Sequence, residues 1–209
     1  EDAKRALDVA SSHFDEVLSL VHSITERRRH LHIARDEAQG EIEAARADIA
    51  RGREYLTEHN EDTDDAHFTT LNKAEELIEE AEKLLVKKQP DYLTVVRLAT
   101  SANSTADSVL KKAQDERERA ERKRRQAHAL LREASSSVSA AKEFIEDHRS
   151  DVGPQARQLL ADADAALHDA TDYHRSGDVD EVISRAGASD RDADAALNKA
   201  KQDFKKAED

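Results

Sequence analysis

The chain has 209 residues, 38% of them charged and 3% aromatic, with five glycines, two prolines and a net charge of -13. So few turn formers and bulky strand residues leave too little for an all-β or α/β domain, and the dominance of Ala, Leu, Glu, Asp, Lys and Arg is that of long helices. A mean hydropathy of -0.86 would also permit disorder, so periodicity has to decide.

The first 57 residues place Val17, Val21, Ile24, Leu31, Ala34, Ala38, Ile42, Ala45, Ile49 and Leu56 mostly three or four apart, one stripe down a helix. "EHNEDTDDAHF" then supplies a turn and N-cap residues for a second helix, with Leu71, Ala74, Ile78, Ala81 and Leu85 on one face. That helix stops at "KKQPD", where Pro90 suits the first turn of a third helix. The third starts near Asp91 and shows Val96, Ala99, Ala102, Ala106, Leu110 and Ala113. It meets "QDERERAERKRRQ", in which Ala120 is the only apolar residue and nothing breaks a helix, so it is expected to run on into Ala127, Leu131, Ala134, Val138, Ala141 and Ile145. Gly153 and Pro154 mark the next turn and the start of a fourth helix with Leu160, Ala163, Leu167 and Ala170, ending at "RSGD". Asp178 as N-cap and Glu181 three residues on form a capping-box pattern opening the last helix, which shows Val182, Ala186, Ala193, Leu197, Ala200 and Phe204.

These elements repeat. "EYLTEH" at 54–59 matches "EFIEDH" at 143–148, and "ADSVLKKAQ" at 106–114 matches "ADAALNKAK" at 193–201, so a helix-turn-helix-turn-helix unit occurs twice. Carried backwards, the register aligns Ala10 with Ala99 and Val21 with Leu110. The expected architecture is all-α: an elongated rod of two tandem three-helix units joined by continuous long helices. Residues 1–24 are the last helix of a preceding unit, 25–115 the first repeat and 116–209 the second.

Three-helix units in series, the last helix of one running into the first of the next, resemble spectrin-like repeats, although the buried Trp common in spectrin is absent. More narrowly, "LLADADAALHDATDYHRSGDVDEVISRAGASDRDADAALNKA", an Ala/Leu helix, a "GD" turn and a second Ala-rich helix, resembles the helical coiled-coil region C-terminal to the TPM domain in bacterial TPM-domain membrane proteins. The TPM domain itself is absent. That resemblance implies the cytoplasmic part of a single-pass membrane protein.

The chemistry-bearing residues favour no enzyme. Without cysteine there is no thiolate nucleophile, disulfide framework or Cys-based metal site. There is no Gly-rich phosphate loop and no Gly-x-Ser-x-Gly, and carboxylates on solvated helix faces lack an apolar pocket to raise their pKa. Ten histidines raise the question of a metal, yet the residue three before each is never Glu, as a di-iron bundle requires, and no His-Glu-x-x-His occurs. The histidines read as exposed helix polar residues. "NEDTDD" and "DRDAD" resemble the start of an EF-hand loop but lack its glycine and closing glutamate, and acids at a helix N-terminus explain the first better. No cofactor is expected.

Two basic clusters remain, Arg27, Arg28 and Arg29, and Arg117, Arg119, Arg122, Lys123, Arg124 and Arg125, at equivalent places in the repeat. They could dock anionic lipid, RNA or an acidic partner. The plainer reading is a solvated helix with Glu and Arg three or four apart, since Glu116, Glu118 and Glu121 dilute the second cluster. "NST" at 103–105 fits a glycosylation sequon but lies mid-helix.

No run of about 18 apolar residues occurs. The opening "EDAKRALDVA" has neither Met nor a signal-peptide pattern, so the chain reads as a piece of something longer, with any anchor outside it. The acidic balance argues against nucleic acid as a partner. The expected role is a non-enzymatic spacer or scaffold, a monomer or weak dimer on the cytoplasmic side of a membrane-anchored protein, with a protein as its partner. Membrane contact would come only through flanking segments or the Arg clusters. A homodimeric coiled-coil module and a peripheral lipid- or nucleic-acid-associated module are the alternatives left open.

Overall fold

The computed structural model describes residues 2–208. Among them are five helices and no strand: α1 (Asp2–Glu58), α2 (Ala66–Leu85), α3 (Tyr92–Asp147), α4 (Pro154–Ser176) and α5 (Val179–Glu208). The chain divides into two compact units, Glu1–Arg117 and Glu118–Asp209.

The helix ends follow local chemistry. Beyond α1, the Asp64 carboxylate accepts the Ala66 N–H at 2.8 Å, an Asx turn that opens α2. Asp91 caps α3, accepting the Thr94 N–H at 3.2 Å and the Thr94 hydroxyl at 2.7 Å. Pro90 therefore lies outside α3, before the cap, rather than in its first turn as the sequence suggested. Its missing N–H is not needed there. Pro154 does occupy the first turn of α4.

The α4–α5 junction is the tightest. Gly177 adopts φ +85°, and the Asp178 N–H donates back to the Tyr173 carbonyl at 3.1 Å, the Schellman stop. Asp178 then caps α5 by accepting the Glu181 N–H at 3.2 Å. With the Asp178 N–H already committed to Tyr173, the Glu181 carboxylate turns to Arg185 instead, and the capping box predicted from sequence is only half made. Gly177→Ala should destabilise the second unit by about 1 kcal/mol, because a Cβ is strained in the left-handed region. Chemical denaturation followed on α4 and α5 peptides would read that loss.

In the first unit, Ala38, Ile42, Ala45, Ile49 and Leu56 of α1, Leu71, Ala74, Ile78 and Ala81 of α2, and Val95, Ala99, Ala102, Ala106, Val109 and Ala113 of α3 form one continuous core. Two sequence expectations need correction here. The α1 stripe was expected to run from Val17 to Leu56, but it is buried only from Ala38 onward, and Val17, Val21, Ile24 and Leu31 face solvent. On α3, Val95 and Val109 are the buried residues, while Val96 and Leu110 lie half-buried beside them. The buried set keeps a 4-3-4-3 spacing, the seam that packs two neighbouring helices.

The second unit buries Ala127, Ala134, Val138, Ala141 and Ile145 of α3, Ala156, Ala163 and Ala170 of α4, and Val182, Ala186, Ser189, Ala193, Ala196 and Ala200 of α5. Its core breaks into three clusters instead of one. Alanine at most of these positions buries little apolar area per residue. Ser189, wholly buried, satisfies its hydroxyl by donating to the Ala163 carbonyl at 2.8 Å.

The two cores share one register. Adding 87 to 95, 99, 102, 106, 109 and 113 gives 182, 186, 189, 193, 196 and 200, all buried on α5. Adding 89 to Ala38, Ala45, Ile49 and Leu56 gives Ala127, Ala134, Val138 and Ile145, and adding 89 to Ala74 and Ala81 gives Ala163 and Ala170. Each unit is therefore built from three helical segments in a common register, although Leu131, Leu160 and Leu167 are only half-buried where their equivalents Ile42, Leu71 and Ile78 are buried.

Candidate functional site

The basic clusters consist largely of residues paired with neighbouring groups. Arg29 lies 3.9 Å from Glu26, one turn back on α1, and Arg27 and Arg28 make no ion pair among the described residues. In the second cluster Arg122 pairs with Glu118, and Arg125 lies 3.7 Å from Glu121. Both are exposed pairs four residues apart on one helix, each worth about 0.3–0.5 kcal/mol. Lys123 reaches Asp180 at the start of α5 at 2.8 Å, and Arg117 donates to His59 Nε2 at 2.8 Å. Arg119 is exposed. Arg124 borders a concavity of about 150 Å³ with Ala127, His128, His174, Gly177 and Val182. In that concavity the two imidazoles meet edge to face, their centroids 4.7 Å apart. Among the described residues no three His, Cys, Asp or Glu side chains gather as a metal site.

A recurring polar latch, absent from the sequence reading, sits at one end of each unit. Glu116 near the end of the first unit accepts the Asp64 N–H at 3.2 Å, and its carboxylate takes the His67 Nε2–H at 3.0 Å. In the second unit Asp203 accepts the Gly153 N–H at 3.1 Å and pairs with Lys199. Asp64 and Gly153 are equivalent at an offset of 89, and Glu116 and Asp203 at 87. A carboxylate on the third helix thus closes the loop between the first two, satisfying a backbone donor that the loop leaves open. An aromatic–histidine pair repeats beside it: Tyr55 and His59 meet at 4.5 Å, and Phe144 and His148, each 89 residues on, at 4.3 Å. His67 is 9% exposed, so the expectation that the histidines are exposed surface residues fails there. Its imidazole is buried because Glu116 gives it a charged acceptor.

Two carboxylates have their pKa lowered: Asp91 by hydrogen bonds from the Thr94 hydroxyl and N–H, and Asp203 by the Lys199 hydrogen bond first, then the Gly153 N–H, against some desolvation. Because folding depresses these values, their stabilisation is present above the ordinary value of 3.8 and lost as pH falls through the depressed one. Asp203→Asn should therefore flatten the acid limb of second-unit stability between about pH 5 and pH 2 while leaving the first unit's limb unchanged. Exchange-monitored unfolding across that range would show it.

The remaining surface feature is apolar. Phe14, Val17, Leu18, Leu20, Val21, Ile24, Leu31 and Ile33, all on α1 ahead of the first core, are exposed. Among the described residues no helix is long and apolar enough to cross a membrane.

No family model matches the chain, and no solved structure matches it. Among curated proteins the chain is similar to UPF0603 protein Rv2345 of Mycobacterium tuberculosis (strain ATCC 25618 / H37Rv) and to UPF0603 protein MT2410 of Mycobacterium tuberculosis (strain CDC 1551 / Oshkosh). Each is 32% identical over 118 residues, a stretch that takes in 56% of this chain but only 18% of the relative's length.

Proposed function

We propose that the chain is a non-enzymatic spacer or scaffold: an elongated rod of two tandem spectrin-like units within a larger, membrane-anchored protein, meeting a protein partner through its acidic helical faces. The observation that carries this is the shared register, in which six buried positions of α3 recur on α5 and α3 contributes residues to both cores. Stacked copies of one supersecondary unit give length and surface at modest stability per unit. Alanine cores support the same reading, because they let helices approach closely while burying little area. The membrane-anchored, cytoplasmic setting rests on the resemblance to the helical region that follows the TPM domain. The match to part of two much longer relatives is in keeping with it.

Vesicle flotation and RNA binding between about 50 and 200 mM salt test the spacer against the lipid- or nucleic-acid-associated module. The spacer predicts no binding at either salt. Binding that falls steeply with salt and is removed by a combined Arg122→Ala, Lys123→Ala and Arg125→Ala change would favour the module instead. One observation, the exposed apolar stripe on α1, favours a second reading as a homodimeric module. A dimeric mass at micromolar concentration would establish that reading.

A further inference from the structure

The α1 stripe carries the register of a third helix. Subtracting 89 from the buried α3 positions 99, 106, 109 and 113 gives Ala10, Val17, Leu20 and Ile24, and 102 gives His13, the one polar departure. Val17, Leu20 and Ile24 are 54%, 57% and 66% exposed, whereas their six equivalents on α3 and α5 are at most 3% exposed. The chain beyond Ile24 keeps the same correspondence. A charged stretch leads from Ile24 to Ala38, as another leads from Ala113 to Ala127, and Ala38 and Ala127 each begin a buried first helix.

In both units the third helix is covered by a helical hairpin that directly precedes it in the chain, joined by residues 86–91 in the first and 177–178 in the second. We infer that residues 10–27 of α1 are the third helix of a further unit, covered in the full-length protein by the helical hairpin immediately N-terminal to Glu1. The matched stretch is only 18% of the curated relatives' length, so they extend well beyond it. A second copy of this chain is the poorer occupant, because a two-fold partner would present a single helix where the register calls for two.

The latch position sharpens the inference. Glu116 and Asp203, which accept loop N–H groups, correspond to Arg27. A guanidinium has donors only, so the loop of the preceding hairpin must offer it a carboxylate or carbonyl oxygens in place of an N–H. Arg27, which makes no ion pair among the described residues, is on this reading a latch with its polarity reversed.

The inference rests on the serial-repeat part of the spacer reading, and the test separates them, since amide exchange reads the face of α1 whereas scattering reads the rod. Hydrogen exchange would be compared over residues 10–27 in the full-length protein and in the 209-residue chain. The expected result is protection higher by about 100-fold or more in the full-length protein. It should be lost from residues 10–27 and the preceding hairpin in Val17→Asp/Leu20→Asp, while 95–113 stays protected. Arg27→Glu should speed exchange in the preceding loop, and Arg28→Glu should not. Equal exchange in the two proteins would overturn the inference. So would protection in the 209-residue chain that disappears on dilution, which assigns the face to a second copy, or loss of protection at 95–113 in the double variant.

Discussion

Leu110→Pro is expected to weaken both units, although residue 110 lies in the first. Proline at this half-buried position removes the N–H that bonds one turn back and drives its ring against that carbonyl, at about 3 kcal/mol or more. The direct loss falls on the first core, to which α3 contributes Val95 to Ala113. Because α3 is one helix from Tyr92 to Asp147, the serial account extends a smaller loss to Ala127–Ile145. Segment-resolved exchange should show residues 95–113 opening first and 127–145 losing protection in the same variant. Leu110→Ala keeps the helix and should affect the first unit alone. Should Leu110→Pro leave the second unit's unfolding unchanged, the helix does not couple the two.

Leu71→Ala should cost the first unit about 2–5 kcal/mol, the range for deleting a wholly buried leucine. Leu71 fills the space opposite Gly52, so closely that a Cβ there would sit 3.3 Å from its Cδ1. Its equivalent 89 residues on, Leu160, is half-buried, and opposite it the second unit carries Ala141 where the first has Gly52. Leu160→Ala should cost the second unit less than about half as much, because an open site loses less contact and collapses more easily. Chemical unfolding resolved by unit would compare them. Equal costs would mean that the two cores are packed alike, contrary to their burial.

The helices and their order were legible because Ala and Leu recur at helical spacing and because Pro90, Gly153, Pro154 and Gly177 fall at the turns, while Gly40, Gly52 and Gly187 are carried inside helices. The choice between Val95 and Val96, or Val109 and Leu110, was not. Adjacent apolar residues satisfy the same loose periodicity, and only the packed neighbours select the strict seam. The α1 stripe misled for the opposite reason: its pattern is that of a buried face, yet nothing among the described residues covers it. The latch was invisible because Glu116 and Asp203 differ in type, stand among many acids, and act on backbone donors at 64 and 153 that no side-chain pattern marks. His67 was misread for want of knowing that Glu116 would meet it across the fold.

Small-angle X-ray scattering over a concentration series tests the central claim most directly, since it reports mass and longest dimension together. With the leading helix and two unit lengths taken as about 87 residues end to end, a rise of about 1.5 Å per residue gives a rod roughly 130 Å long. The serial spacer predicts that length at a monomeric mass throughout the series. A compact particle near half that length, or a dimeric mass that persists on dilution, would contradict it.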